Sequence, residues 1–289
     1  MVRAADRASR PARASVWLEE KAPRRRNHSH SQAQAPAEAR TAVRAPGEGQ
    51  GEGPGSGSGP GGLDRDRITA ATVRLLDAEG LARFSMRRLA AELNVTAMSV
   101  YWYVDTKDDL LELALDAAFG ELALPDPEDD TADWRDQLRA LATGYRALLV
   151  RHPWVSPLAG TFLNIGPHAM AFSLCVQQVM RRTGLPPHGR MGGLSAVFQF
   201  VYGFGTIEGH FVQRCAAAGV SQDEYFRDAM GTIREEPRFA RHFASATDLM
   251  EARGGDTVEE MRERDFTFAL ELLIAGIEAM SSRSGPAAS

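Results

Sequence analysis

The chain has 289 residues, of which 44% are hydrophobic, and it carries a formal net charge of −5. This length allows two domains, and the apolar fraction is sufficient for buried cores. We find no run of about 18 apolar residues that could span a membrane, and no signal-peptide pattern. Its two cysteines, Cys175 and Cys215, lack CxxC spacing, which disfavours a structural zinc site and favours a reducing compartment. We therefore expect a cytoplasmic protein without a metal or other cofactor.

Residues 1–62 lack periodic apolar residues and are rich in Ala, Arg, Pro, Gly and Ser. They end in a run of mostly Gly, Ser and Pro. This composition predicts a disordered tail with a flexible linker. The cluster Arg24, Arg25 and Arg26 either adds nonspecific attraction for phosphate or is simply solvated, and we favour the second reading.

Two helices joined by short segments are predicted next. Their apolar positions are Ile68, Ala71, Thr72, Leu75 and Leu76 in the first, and Met86, Leu89, Ala90 and Leu93 in the second. Gly80 is expected to end the first helix, and the Ser85 hydroxyl to cap the second. Asn94 stands where the backbone must turn left-handed, a conformation that Gly and Asn adopt at low cost.

A third short helix is predicted from Thr96, which can cap it. Its residues include Tyr101, Trp102 and Tyr103, which is more surface-type aromatic area than packing alone requires. Helix, tight turn and helix is a DNA-reading motif, although the same shape is a common packing unit of helical proteins. Thr106 then begins a fourth helix with a capping-box-like start. The apolar side of this helix is Leu110, Leu111, Leu113, Ala114 and Ala117.

Residues 64–122 resemble the DNA-binding domain of the TetR (tetracycline-repressor) family of bacterial regulators. The matching parts are a helix, Gly80, RRLAAELNVT, AMSVYWYV and KDDLL, and the YW pair followed by Lys107 is the most specific piece. The remainder, to about residue 281, has the length and helical pattern of the family's ligand-binding and dimerisation domain. The resemblance implies an all-α fold with a helix-turn-helix DNA-binding domain of three helices plus a connecting helix, followed by a helical effector domain. We divide the chain into a disordered tail and linker (1–62), the DNA-binding domain (63–122), the effector-binding and dimerisation domain (123–282) and a disordered tail (283–289).

The resemblance also implies DNA contacts, position by position. They are Ser85, Arg87, Arg88, Thr96, Ala97, Met98, Ser99, Tyr101, Trp102, Tyr103 and Lys107. Arg87 matches a base-reading position, where an arginine can bond guanine O6 and N7 together. Ala97 and Met98 begin the reading helix, where apolar side chains can touch a thymine methyl. The phosphate positions are Ser85, Ser99, Tyr101, Tyr103 and Lys107. Trp102 either contacts the DNA backbone or packs beneath the helix, and Arg88 is alternatively an ordinary solvated arginine.

Helices are predicted in the C-terminal part near 133–151, 154–163, 167–183, 188–218, 221–243 with a break, and 259–281. The fourth of them contains an unusual number of glycines, namely Gly189, Gly192, Gly193, Gly203, Gly205 and Gly209. Each glycine inside a helix costs about 1 kcal/mol relative to alanine. Close approach of another helix, or of a ligand, is the expected compensation.

A homodimer is expected from the same resemblance, because two helices of each protomer build a four-helix interface in the family. In the last helix, Phe266, Leu270, Leu273 and Ile277 form one stripe, while Phe268, Leu272 and Ala275 lie on other sides. Two reading helices about 34 to 36 Å apart read a palindrome. Residues 108–289 carry 16 Lys and Arg against 26 Asp and Glu, so the effector domain should repel DNA and leave the reading head to bind it.

A ligand pocket is expected among aromatic and polar residues of the effector domain. The candidates are Trp154, Phe162, Asn164, His168, Phe172, Phe198, Gln199, Tyr202 and Glu208. For His168 and Gln199, a satisfied buried polar group is the alternative. Tetracycline-binding relatives hold a drug-bound magnesium ion with a His, a Thr and a Glu, and this chain has Leu158, Thr161 and Ile207 at those places. We therefore expect a largely apolar small molecule rather than tetracycline with magnesium.

These features predict a ligand-responsive homodimeric repressor that binds palindromic double-stranded DNA and is released by a small effector. An enzyme is disfavoured, because the sequence contains no GxSxG elbow, no HExxH and no phosphate-binding loop. A helical protein-interaction module that uses the aromatic face to hold another protein is the other alternative.

Overall fold

The computed structural model describes residues 15–18, 62–126, 129, 131–239 and 254–283. Regular structure in these ranges is entirely α-helical, which confirms the predicted all-α class. The helices are α1 (Arg65–Glu79), α2 (Met86–Glu92), α3 (Ala97–Tyr101), α4 (Lys107–Phe119), α5 (Trp134–Arg151), α6 (Val155–Ala159), α7 (Pro167–Arg182), α8 (Pro187–Ala218), α9 (Gln222–Glu235) and α10 (Val258–Arg283). Within the described ranges, none of these helices has the length and apolarity to cross a bilayer.

α1 ends at Gly80 and α2, α3 and α4 begin at their caps, as predicted, but α3 ends at Tyr101, so Trp102 and Tyr103 lie beyond the helix predicted to contain them. Ser85 and Thr96 accept hydrogen bonds from the backbone N–H groups of the first turns of α2 and α3, and Thr106 forms a complete capping box with Asp109 on α4. Asn94 has a φ of 53°, so the turn between α2 and α3 is left-handed as predicted. Their core contains Ile68, Leu76, Leu89, Val100, Val104 and Leu110, all at most 1% exposed. These local signals place α3 on one side of a small buried core.

Two of the interior glycines let α8 lie directly against α5. A Cβ at Gly205 would lie 3.1 Å from the Leu149 side chain, and one at Gly209 would approach the Leu149 backbone still more closely. Close approach of another helix is therefore the compensation at these two positions. Gly192 and Gly203 meet nothing within 4 Å, so packing of the described residues does not require glycine there.

Arg146 of α5 is buried and joins α5 to α8 and α10. Its guanidinium donates to Glu208 at 2.7 Å and to Glu263 at 2.5 Å, and it lies 4.5 Å from the centre of the Phe266 ring. Burial lowers the pKa of Arg146, but its two carboxylate partners more than reverse this and raise it. The Glu208 side chain is therefore committed to holding helices together.

Polar side chains join α1 and the end of α4 to the end of α5. His152, at the end of α5, contacts Asp77 of α1 through Nδ1 at 2.6 Å and Glu121 through Nε2 at 3.1 Å. The indole N–H of Trp154 donates to the same Asp77 oxygen at 2.6 Å. Burial lowers the pKa of His152, but hydrogen bonds and attraction from the two carboxylates outweigh it and raise the pKa. We call His152, Trp154, Asp77 and Glu121 the clasp.

Several expectations meet a different outcome at the ends of the chain. Residues 15–18 lie within the predicted disordered tail, yet Ser15 is buried and Trp17 packs against the core. The rest of that tail, with the Arg24–Arg26 cluster, lies outside the described residues. The helix predicted over 221–243 with a break runs to Glu235, breaks at Glu236 and is helical again over 237–239, and its last four predicted residues lie outside the described ones. Residues 284–289 of the C-terminal tail lie outside them as well.

Candidate nucleic-acid interface and ligand cavity

The outer face of α3 presents large side chains to solvent. Val100 on α3 and Val104 just after it are fully buried and fix the inner side of the helix. Met98 is 69% exposed and Trp102 is 66% exposed, and Tyr101 is exposed as well. Trp102 is therefore an outward-facing residue, so the alternative that it packs beneath the helix is wrong. An exposed cluster of large apolar side chains usually marks a contact surface.

Short polar side chains and cations surround this face. Thr96 accepts a hydrogen bond from the Ser99 backbone at 3.2 Å, and the two hydroxyl oxygens lie 2.9 Å apart. Arg87 is exposed on α2, and no hydrogen bond or ion pair with another described residue holds its guanidinium. Lys107 donates to the Phe84 carbonyl at 3.0 Å, which leaves its other two N–H groups available.

Arg88 is engaged differently from Arg87. Its guanidinium donates twice to Glu79 Oε1, at 2.8 and 2.5 Å, and so ties α2 to α1. The hydrogen bond with Glu79 raises the pKa of Arg88, and the hydrogen bond with Arg88 lowers the pKa of Glu79. The pair is solvent-exposed and therefore weak, but its geometry directs Arg88 away from the role assigned to Arg87.

A cavity of about 560 Å³ lies between α4, α5, α7 and α8. Its lining residues are Phe119, Tyr145, Ala159, Gly160, Leu163, Asn164, Ala169, Phe172, Ser173, Val176, Leu194, Ser195, Phe198, Gln199 and Tyr202. Its size falls within the range of small-molecule sites, and its wall combines many apolar groups with a few polar ones.

Aromatic rings form one side of the cavity. Phe119 and Tyr145 stack with their ring centres 6.0 Å apart, and Tyr145 is 5.4 Å from Phe172. Phe172 in turn meets Phe198 edge-on at 5.6 Å. Burial raises the pKa of the Tyr145 phenol, which keeps it neutral. Offset and edge-on rings of this kind can continue their packing onto a planar aromatic guest.

Asn164 lies in the cavity wall and carries a buried hydrogen-bond acceptor of fixed orientation. Its backbone is left-handed, with a φ of 52°, and its amide nitrogen donates to the carbonyls of Ala159 at 2.7 Å and Phe162 at 3.1 Å. Because both partners are carbonyls, they fix which end of the amide is nitrogen. The Oδ1 atom is buried and has no hydrogen-bond partner among the described residues. An unpaired buried acceptor is costly, so a guest whose donor reached this oxygen would be favoured.

The predicted ligand residues divide into two groups. Asn164, Phe172, Phe198, Gln199 and Tyr202 line the cavity. Trp154, Phe162, His168 and Glu208 do not line it, which corrects the sequence-based set.

The side chains of the second group are used elsewhere. Trp154 belongs to the clasp, and Glu208 pairs with Arg146. His168 points outward with its Nδ1 2.9 Å from Asp116, and Phe162 lines a separate small cleft. Sequence reasoning missed Phe119 and Tyr145, because an apolar helix position carries no mark that separates a cavity wall from a filled core.

Comparison with known proteins supports a regulatory role. A model described as "Bacterial regulatory proteins, tetR family" matches residues 68–114, and one described as "Tetracyclin repressor-like, C-terminal domain" matches residues 124–281. The HTH-type transcriptional repressor DrrR1 of Streptomyces coeruleorubidus is 30% identical over 78% of this chain and 82% of its own length. An HTH-type transcriptional regulator of Saccharopolyspora erythraea is 41% identical over 50% of this chain, which covers only 61% of that relative.

A solved structure shows the same architecture. The TetR family protein ActR of Streptomyces coelicolor, in complex with actinorhodin, is 28% identical, with a TM-score of 0.58 over 76% of this chain and 98% of its own. The helix-turn-helix, the helical C-terminal domain and its cavity are together those of a DNA-binding transcriptional regulator with a ligand-binding C-terminal domain. The chain belongs to the TetR family of bacterial regulators.

Proposed function

We propose that this protein is a homodimeric repressor that binds a palindromic operator and is released by a small, largely apolar effector. The observation that carries the proposal is the outer face of α3, where Met98, Tyr101 and Trp102 project from a helix anchored by Val100. A side of a helix that is apolar, exposed and flanked by a cation suits the major groove of DNA. DrrR1, similar to this chain over most of its length, is itself a repressor.

Base and phosphate contacts divide between different residues in this proposal. Arg87 reads a guanine, since its guanidinium is exposed and unengaged by other described residues. Ala97 and Met98 contact thymine methyl groups, so discrimination leans on Arg87 and on DNA shape. Ser85, Ser99, Tyr103 and Lys107, with Tyr101, hold phosphates and fix the register. Because Glu79 already holds Arg88, Arg88 contributes less than its charge alone would suggest.

The dimer interface is formed by α8 and α10. Phe268, Leu272, Gly276 and Met280 follow one another at four-residue intervals on the side of α10 opposite its buried stripe. Phe268 is 68% and Leu272 is 60% exposed, and a Cβ at Gly276 meets nothing within 4 Å. Gly203 and the exposed Ile207 are spaced in the same way on α8. An apolar stripe with glycines that leave room for a second backbone fits a helix of another copy.

Electrophoretic mobility shift with the DNA upstream of the gene tests the proposal. We expect binding that depends on a palindrome and falls roughly a hundred-fold between about 50 and 200 mM salt, because phosphate contacts release counterions. The control is the same fragment with one half-site scrambled. Equal affinity for both fragments would contradict a palindrome-reading repressor.

The effector is a planar aromatic molecule that carries at least one hydroxyl donor. Its rings pack on Tyr145, Phe172 and Phe198, and its hydroxyl donates to the unpaired Oδ1 of Asn164. ActR, which is similar in fold, has been solved with actinorhodin bound. Tetracycline with magnesium is disfavoured, because Leu158 and Ile207 stand where tetracycline-binding relatives carry a His and a Glu, and neither side chain can coordinate a metal.

Calorimetric titration with a hydroxyanthraquinone and its O-methyl ether tests this ligand class. We expect methylation to weaken binding about ten-fold or more, since it removes the donor that Asn164 accepts. Phe172→Ala should weaken both ligands, whereas Leu174→Ala, an exposed position on the same helix, should leave both unchanged. Equal binding of the two ligands would refute the role of Asn164, and equal effects of the two variants would refute the cavity.

A further inference from the structure

Four residues of the N-terminal region, Ser15 to Leu18, lie against the helices far from their place in sequence. The Ser15 side chain is buried, at 1% exposure for the residue, and its hydroxyl donates to Glu112 Oε2 of α4 at 2.5 Å. The same hydroxyl accepts from the Trp17 backbone at 3.2 Å, and the Leu18 backbone donates to the Ser15 carbonyl at 3.3 Å. The segment is therefore a tight turn in which the Ser15 hydroxyl both donates and accepts a hydrogen bond.

Trp17 lies close to α4, to the segment that leads from α6 into α7, and to Arg65 of α1. It lies with Glu112, Leu115 and Asp116 of α4 around a small cleft. The same cleft is also lined by Phe162, Asn164 and Gly166 from the connection between α6 and α7, and by Ala169 of α7. The guanidinium of Arg65, at the start of α1, lies 5.9 Å from the centre of the Trp17 ring.

The contact with Ser15 satisfies a buried carboxylate of α4. Glu112 is buried on α4, and a buried carboxylate is strongly disfavoured unless a donor satisfies it. Ser15 is that donor. One turn further along α4, Asp116 accepts from the backbone N–H groups of His168 at 3.0 Å and Ala169 at 2.9 Å, which fixes the start of α7. Asn164 and Ala169 line both this cleft and the ligand cavity.

We propose that residues 15–18 form an intramolecular strap, which docks in cis on α4 and holds the DNA-reading helices and the cavity wall in one relative placement. The cleft is the docking surface, and its occupant is this chain's own N-terminal segment. The strap and a cavity ligand share Asn164 and Ala169, so each changes the affinity of the protein for the other. Thermodynamic linkage makes the two factors equal. The strap thus adds a regulatory element on the helix that connects the two domains.

Hydrogen exchange on the full-length protein tests the docking without any DNA or effector. We expect Trp17→Ala and Ser15→Ala to accelerate exchange at least five-fold at the His168 and Ala169 amides, because α4 loses the contact that positions Asp116. Leu18→Ala is the matched control, since Leu18 belongs to the same segment but is 62% exposed. Identical exchange in Trp17→Ala and Leu18→Ala would overturn the proposal.

A double-mutant cycle measures the central hydrogen bond. Ser15→Ala and Glu112→Leu, alone and together, should show a coupling of about ten-fold in the unfolding equilibrium constant, as expected for a buried hydrogen bond to a charged group. No coupling would mean that the two groups do not meet. If Glu112→Leu fails to fold, Ser15→Ala compared with Leu18→Ala still decides, because neither residue belongs to the helices.

Photo-crosslinking distinguishes the strap of the same chain from that of a second copy. A benzophenone amino acid at position 17 is introduced into a mixture of isotopically light and heavy chains. Crosslinked peptides of uniform isotope composition support docking in cis. Peptides of mixed composition would place the segment on a neighbouring copy and overturn the proposal as stated.

Discussion

Replacing Gly209 with alanine tests whether the close contact between α5 and α8 explains the glycine-rich helix. A Cβ at this position would lie 2.7 Å from the backbone carbonyl oxygen of Leu149, and 3.3 Å from the Cα of Val150. Because the overlapped atoms are backbone, a side-chain rotation cannot relieve the contact, and α8 must move away from α5. Overpacking of this kind costs typically about 1–3 kcal/mol. Alanine regains about 1 kcal/mol of helix propensity.

We take the overpacking cost at the upper end of that range, about 3 kcal/mol, and subtract the roughly 1 kcal/mol of helix propensity that alanine regains. We therefore expect Gly209→Ala to lower the free energy of unfolding by about 2 kcal/mol. Chemical denaturation at one fixed protein concentration measures it, since the stability of the proposed homodimer would depend on concentration. The matched control is Gly192→Ala on the same helix, where a Cβ meets nothing within 4 Å. This control should raise stability by up to about 1 kcal/mol. If both variants have the same stability, steric exclusion at Gly209 is not the reason for the glycine.

Three further predictions concern DNA reading, pH and assembly. In binding assays on the operator and on single-base variants, Arg87→Ala should relax discrimination at one base pair by about 1–3 kcal/mol, whereas Lys107→Ala should weaken all sequences alike. Equal loss of specificity in both would refute that division. The pKa of His152 is raised above its ordinary value of 6.5, so its pairing with Asp77 stabilises the fold fully at lower pH, and that contribution is lost as pH rises through the folded-state pKa. Unfolding measured from pH ~5.5 to ~8.5 should show this loss in the wild type and not in His152→Gln. Leu272→Asp should weaken dimerisation at least a hundred-fold, about 3 kcal/mol, in sedimentation velocity, and an unchanged dimer would refute the proposed interface.

Local signals of the sequence predicted the helix-turn-helix closely. Asn94 adopts the left-handed turn, and Thr106 forms its capping box, because both depend only on residues within a few positions along the chain. The exposed face of α3 followed from the same logic. Trp102 remained undecided until the buried positions of Val100 and Val104 fixed the orientation of the helix.

Contacts between distant residues were the part that the sequence could not predict. The composition around Ser15 is that of a disordered tail, and nothing near it indicates that a buried carboxylate 97 positions away would receive its hydroxyl. The sequence around Glu208 predicts a carboxylate that is available to a ligand, because its partner Arg146 is 62 positions away along the chain. Tyr145 and Phe119 are equally compatible with a filled core. An apolar stripe indicates which side of a helix faces inward, but not whether other side chains fill the space on that side.

The clasp has a consequence for building hybrid regulators. One oxygen of Asp77, on the last turns of α1, receives both the His152 ring and the Trp154 indole. None of these three side chains lines the cavity or projects from α3. Ligand preference and operator preference can therefore diverge through separate sets of positions while the joint between the domains stays the same. A reading head transplanted onto the effector domain of another family member should transmit a signal only where matching partners for Asp77 are supplied with it.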